Sequence, residues 1–117
     1  MQLIAIALTG EGSWSIIHSL SEHENFENNI ILTNSFGIQN IKPNQKTKLI
    51  EINPDKPILE LKEDIKKLLQ PEIPGMEVGL NIDSGTGKEH KALLCALIEL
   101  GVGIKMVTIE NNQLIEM

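Results

Sequence analysis

Aromatic side chains are almost missing from this sequence: there is no tyrosine, one tryptophan and two phenylalanines, together 3% of the chain. A core must therefore be built from aliphatic residues. Trp14 is expected either to anchor a first helix on a sheet or to stack on a base. Cysteine occurs once, so no internal disulfide can form, and the place of Cys95 in an apolar stretch predicts a buried, inert thiol. The three histidines, His18, His23 and His90, share no metal-ligand spacing, so no metal is expected. No apolar run approaches the length of a membrane span. Met1–Leu8 is too short and lacks the basic flank of a secretory leader, and it reads as a strand. No membrane association is expected, and a cytoplasmic location is. An excess of positive charge is lacking too. The formal net charge of −6 argues against long nucleic acid, though not against a small nucleotide held by backbone N–H groups and a lysine or two.

What is present fits one α/β domain over residues 1–117. Leu3–Leu8 is continuously apolar, as a parallel strand buried on both faces would be. A turn over Thr9–Ser13 leads to a helix over Trp14–Leu20, with Ser13 as its N-cap. Ser21–Asn29 is polar and is expected at the surface, with His18 a partly buried histidine of the preceding helix. Strands follow at Ile30–Thr33 and Lys48–Ile52, separated by an aperiodic loop over Phe36–Lys46 with room for one helical turn. Ile58, Leu61, Ile65, Leu68 and Leu69 recur at helical spacing, and Pro71 and Pro74-Gly75 end that helix. Met76–Asp83 alternates apolar and polar residues as a fourth strand. The helix after it is apolar nearly all round and should be covered on more than one side. Gly101 and Gly103 stop it; Ile104–Ile109 is a fifth strand, and Asn111-Asn112 turns into a sixth at Leu114-Ile115. The layout is that of a Rossmann-like three-layer sandwich: a mostly parallel sheet ending in an antiparallel hairpin.

The chemistry concentrates at two glycine turns. Gly79–His90 reads as a strand, a turn at Ser84-Gly85-Thr86-Gly87-Lys88 and a helix start, which aims backbone N–H groups and a helix dipole at one spot. The other turn is Thr9-Gly10-Glu11-Gly12-Ser13. If the first strand lies beside the fourth, the winding reverses between them and both turns face one crevice, where ligands of such sheets bind. Neither turn is a standard nucleotide motif. A Walker A loop needs glycine where Ile82 stands and Ser or Thr where Glu89 stands. The dinucleotide fingerprint fails at Ser15, and the second strand ends in Asn34-Ser35 without a ribose-binding acid.

Val78–Lys88, followed by an apolar helix and then Val102–Val107, resembles the second signature of CARF domains, the CRISPR-associated Rossmann fold. Here Gly87 is inserted between Thr86 and Lys88, and Asp83-Ser84 replace the common Thr-Gly. The resemblance implies a homodimer that binds a cyclic oligoadenylate across its two-fold axis, either sensing it or opening the ring without metal or cofactor. On that reading Lys88 stabilises phosphate charge and Ser13 positions the ring, as the catalytic pair. Thr9, Gly10, Gly12, Ser84, Gly85, Thr86, Gly87 and His90 form the ligand-binding set. Two other readings stay open: a small Rossmann-type domain for a mono- or dinucleotide, and a dimerisation module without a ligand.

Overall fold

The apolar N-terminal run becomes the centre of a sheet. In the computed structural model, which describes residues 1–8, 11–75 and 77–117 (11–13 by backbone alone), β1 (Gln2–Ala7) is buried from Leu3 onward. It hydrogen-bonds in parallel to β2 (Asn29–Thr33) on one side and to β4 (Glu77–Asn81) on the other. β3 (Thr47–Glu51) joins β2, and β5 (Gly103–Glu110) joins β4, both in parallel. β6 (Gln113–Glu116) returns antiparallel to β5. The described residues thus form a six-stranded sheet of order β3-β2-β1-β4-β5-β6. Asn111 and Asn112, both with positive φ (52° and 61°), make the tight turn between β5 and β6.

Strand alternation assigns the two sheet faces to different helices. Ile4, Ile6 and Leu8 pack with Leu61, Ile65 and Leu69 of α3 (Ile58–Leu69) and with Leu93 and Leu97 of α4 (Gly87–Glu99). Leu3, Ala5 and Ala7 pack with Ile17 and Leu20 of α1 (Glu11–Glu22). The result is a three-layer Rossmann-like α/β sandwich. α3 forms as expected and buries Leu61, Ile65 and Leu69 at i, i+4 and i+8, whereas Ile58 and Leu68 of the expected apolar set are exposed. α4 ends in a Schellman motif: Gly101, at φ +75°, donates to the Ile98 carbonyl (3.0 Å), and Val102 to that of Leu97 (3.2 Å).

Several expectations are corrected. α1 starts at Glu11, so Ser13 lies inside the helix and is not its N-cap. The 36–46 stretch, expected as a loop with room for one helical turn, begins in a short helix, α2 (Ser35–Asn40); Asn34 caps it by accepting from Gly37 N–H at 3.0 Å. The 21–29 connection is not merely superficial, since Ser21, Phe26 and Asn29 are buried. Asn29 ties it down, accepting from Leu3 N–H (3.4 Å) and donating to the Ser21 carbonyl (3.0 Å). β4 is covered on both faces rather than alternating, because Gly79 and Asn81 are buried as well. A Cβ on Gly79 would come within 2.8 Å of the Phe26 ring, so glycine there makes room for it. His18 is exposed and pairs with Glu22 one turn on.

α4 buries one stripe, Ala92, Leu93, Ala96 and Leu97, against the sheet and α3. Its other side is open: Ile98 is exposed and so is Cys95, which overturns the expected buried thiol. The apolar composition concealed this, because Cys95 and Ile98 are as apolar as the buried residues but fall on the opposite side of the helical wheel. At the far end of α4, Glu99 accepts from Lys62 (2.7 Å) and Lys66 (3.1 Å) of α3.

Two outcomes follow from this packing. A Cβ on Gly37 would overlap the buried Thr33 hydroxyl, so Gly37→Ala should cost about 2 kcal/mol or more in denaturant unfolding, whereas Gly75→Ala, with nothing nearby, should be close to neutral. Hydrogen bonding to Lys62, then to Lys66, lowers the Glu99 carboxyl from its ordinary range. A depressed carboxyl contributes stability above its unfolded pKa and loses it as pH falls through the folded one. Glu99→Gln should therefore lower the neutral plateau slightly and leave stability unchanged at the most acidic pH, so that the acid limb becomes flatter.

Candidate functional site

The site grows from the carboxyl ends of two neighbouring strands. β1 ends at Ala7 and α1 begins at Glu11; β4 ends at Asn81 and α4 begins at Gly87. The strands are adjacent and parallel, and the helices lie on opposite faces of the sheet. Both connections therefore leave the same edge at the point where the winding direction reverses, where a crevice opens because the helices diverge.

The second turn is packed onto the end of β1. Ser84, 2% exposed, accepts from Leu8 N–H at 3.0 Å. Its carbonyl lies 2.8 Å from His90 Nε2. Gly85 has φ +91°, and a Cβ there would sit 3.2 Å from Ile6 Cγ2 and 3.5 Å from His90 Nε2. Glycine thus meets both the backbone conformation and the close approach. His90 is half-buried and its ring braces this turn.

Thr86 stands at the N-cap of α4 in extended conformation, and its hydroxyl donates to the carboxylate of Glu89. Glu89 is 7% exposed and occupies the first turn, where an acid complements the helix dipole. Part of the positive helix end is thus met by the chain's own carboxylate. Lys88 crosses from the start of α4 to the β3–α3 connection, where its ammonium donates to the Pro54 carbonyl at 2.9 Å. Gly87 is exposed, with nothing within 4 Å of a built Cβ.

Between α4, α2 and the β3–α3 connection lies a polar crevice of about 570 Å³, lined in part by Leu8, Asn34, Ser35, Glu51, Asn53, Asp55 and Glu89. Its ionisable lining is acidic. No arginine occurs anywhere in the chain, so any cation offered to a ligand is a lysine. On the other side of the turn, buried Asn81 donates to Asp83 Oδ2 (2.9 Å) and to the Val107 carbonyl (2.9 Å), and Thr108 donates to the same Asp83 oxygen (2.9 Å). Asp83 is thereby held in one orientation at the exposed rim.

Of the sequence-derived residues, Ser84, Gly85, Thr86, Gly87, Lys88 and His90 come together on one turn and helix start. Thr9 and Gly10 lie outside the described residues, and Gly12 and Ser13 belong to the first turn of α1 by backbone alone. Sequence reasoning missed Glu89, Asp83 and the polar crevice. Glu89 carried a signal, the Thr-x-x-Glu spacing of a helix start. Asn34 and Asn53 carried none, since strands β2 and β3 bring them to the site from far along the chain. Among the described residues no group of three or more His, Cys, Asp or Glu could hold a metal ion, and no helix is long and apolar enough to cross a membrane. No protein-family model and no curated protein sequence matches the chain.

The Ser84 contact has a measurable consequence. Ser84→Ala leaves the Leu8 N–H buried without that acceptor and should cost about 1–3 kcal/mol in denaturant unfolding. Lys88→Ala, which only releases the Pro54 carbonyl, should stay within roughly 0.5 kcal/mol of the parent chain.

Proposed function

We propose that this chain is a CARF-type domain that binds a cyclic oligoadenylate as a homodimer at the β1/β4 edge of its sheet. The observation that carries the reading is the glycine turn after β4, locked by Ser84 onto the end of β1 at the reversal of winding. The sheet order and its terminal antiparallel pair are compatible with the motif resemblance in Val78–Lys88.

The chemistry of the edge divides a nucleotide ligand in two. Phosphates suit the exposed start of α4, where Gly87 permits close approach and Lys88 can exchange the neutral Pro54 carbonyl for a charged partner. The acidic crevice repels phosphate but suits a base with exocyclic amino donors; Glu51, Asn53 and Asn34 offer oxygens to the N6 amine of adenine. In the dimer, the open stripe of α4 with Cys95 and Ile98 is available to the second copy. Ring opening, if coupled to binding, needs no group beyond the ligand's own ribose 2′-hydroxyl. That oxygen attacks the adjacent phosphorus, the bond to the 5′-oxygen breaks, and a 2′,3′-cyclic phosphate and a 5′-hydroxyl result. Lys88 stabilises the charge on phosphorus in that step, and Ser13 positions the ring.

Titration calorimetry with cyclic tetra-adenylate and cyclic hexa-adenylate, in chelator, tests the binding. One ring should bind at micromolar concentration or tighter, and Lys88→Ala should weaken it roughly 10- to 100-fold, as loss of a charge-assisted contact does. Absence of binding to both rings, with AMP or NAD bound instead, would reassign the site to a simple nucleotide. Chromatography of the incubated ligand separates turnover from sensing.

A further inference from the structure

A second cavity, on the opposite face of the sheet from α3 and α4, is explained by nothing in the nucleotide reading. It encloses about 310 Å³ between α1 and the α2–β3 connection, and Ala7, Trp14, Ile17, Ile31, Ile41 and Lys42 belong to its wall. Its origin is geometric. α2 has six residues and spans about 9 Å, whereas β3 beside it runs about 16 Å, so the helix is too short to cover the strands beneath it. The connection that follows does not collapse into the gap because Asn44 pins it at both ends. Asn44 donates to the Ser21 carbonyl at the end of α1 (3.1 Å) and accepts from Thr47 Oγ1 at the start of β3 (2.7 Å).

We propose that this cavity is a binding site for a small aliphatic carboxylic acid. The wall is mainly apolar, with His18, Ser21, Asn40 and Thr47 as its neutral polar members, and the volume, equal to about ten water molecules at liquid density, suits a ligand of about ten non-hydrogen atoms. The charge follows from Lys42. It lies exposed on the cavity wall and has no ion pair or hydrogen bond among the described residues; Lys67, Lys91 and Lys105 are unpaired there too but do not line this cavity, and the other six lysines are engaged. A carboxylate at the mouth meets that ammonium while its chain displaces water from the apolar interior. The Trp14 indole forms part of the wall, while its N–H is buried without a partner among the described residues. Trp14 stands in the first half of α1 and its ring meets Phe36 of α2 at 5.9 Å, so an occupant would bear on both helices.

Because the chain holds one tryptophan and no tyrosine, Trp14 reports on its own cavity. Octanoate should shift its emission and move the single indole N–H resonance saturably, and 1-octanol should bind about tenfold more weakly for want of the charge. Lys42→Gln, an exposed substitution that leaves the fold intact, should bring octanoate down to the alcohol's affinity without altering the alcohol. Failure of millimolar octanoate to perturb either signal would overturn the site. Equal binding of acid and alcohol, or of octanoate to parent chain and Lys42→Gln, would overturn its charge recognition. Neither result bears on the nucleotide site, which is read on Lys88.

Discussion

The whole arrangement depends on burying β1 from both sides. Leu3, Ile4, Ala5, Ile6 and Ala7 have no polar side-chain atom, and each is at most 1% exposed. A strand of that composition is stable only where helices cover both faces and strands flank both edges, because any exposed face would leave aliphatic surface in water. Once β1 is central, the chain must wind outward from it in both directions. The reversal of winding at the β1/β4 pair follows, and with it the crevice where the candidate ligand turn sits. The polar candidate edge is thus a by-product of hydrophobic burial.

The turn after β4 shows how little polar chemistry is needed to hold such an edge in shape. Ser84 links it to β1, Gly85 lets it approach Ile6, and His90 supports the Ser84 carbonyl from the helix. Glu89 and Thr86 satisfy the helix start internally. That leaves exposed Gly87 and half-buried Lys88, whose ammonium reaches the Pro54 carbonyl, as the members of the motif that do not hold one another in place. The acid in the adjoining crevice and the lysine near its lip give the edge two polarities, the feature on which the proposed split between base and phosphate rests.

The nearly aromatic-free composition has a related structural cost. Aliphatic side chains pack well between a sheet and full-length helices, but they cannot bridge the gap left by a helix of six residues. Trp14 and Phe36 meet over part of that gap, and the remainder is the second cavity. On the other face α3 and α4 are twelve and thirteen residues long, and the aliphatic core there is continuous from Ile4 to Leu97.

The fold class was legible in the sequence because it rests on periodicity, which is local: the two-sided apolar run of β1, the i, i+4, i+8 spacing of α3 and the paired asparagines before β6. The turn residues Ser84–Lys88 were legible for the same reason, since strand, glycine and helix start follow one another directly. Three things were decided only by tertiary structure. Whether Cys95 is buried depends on which side of α4 meets α3, and composition alone does not reveal that face. Whether Gly79 is a weak strand residue or a necessary one depends on Phe26, which arrives from a connection fifty residues earlier in the chain. The acidic crevice is assembled from the ends of three strands and a helix, and only the parallel register of the sheet brings them to one edge. Patterns that a few neighbouring residues impose can be read along the chain; surroundings supplied by distant segments exist only once the chain has packed.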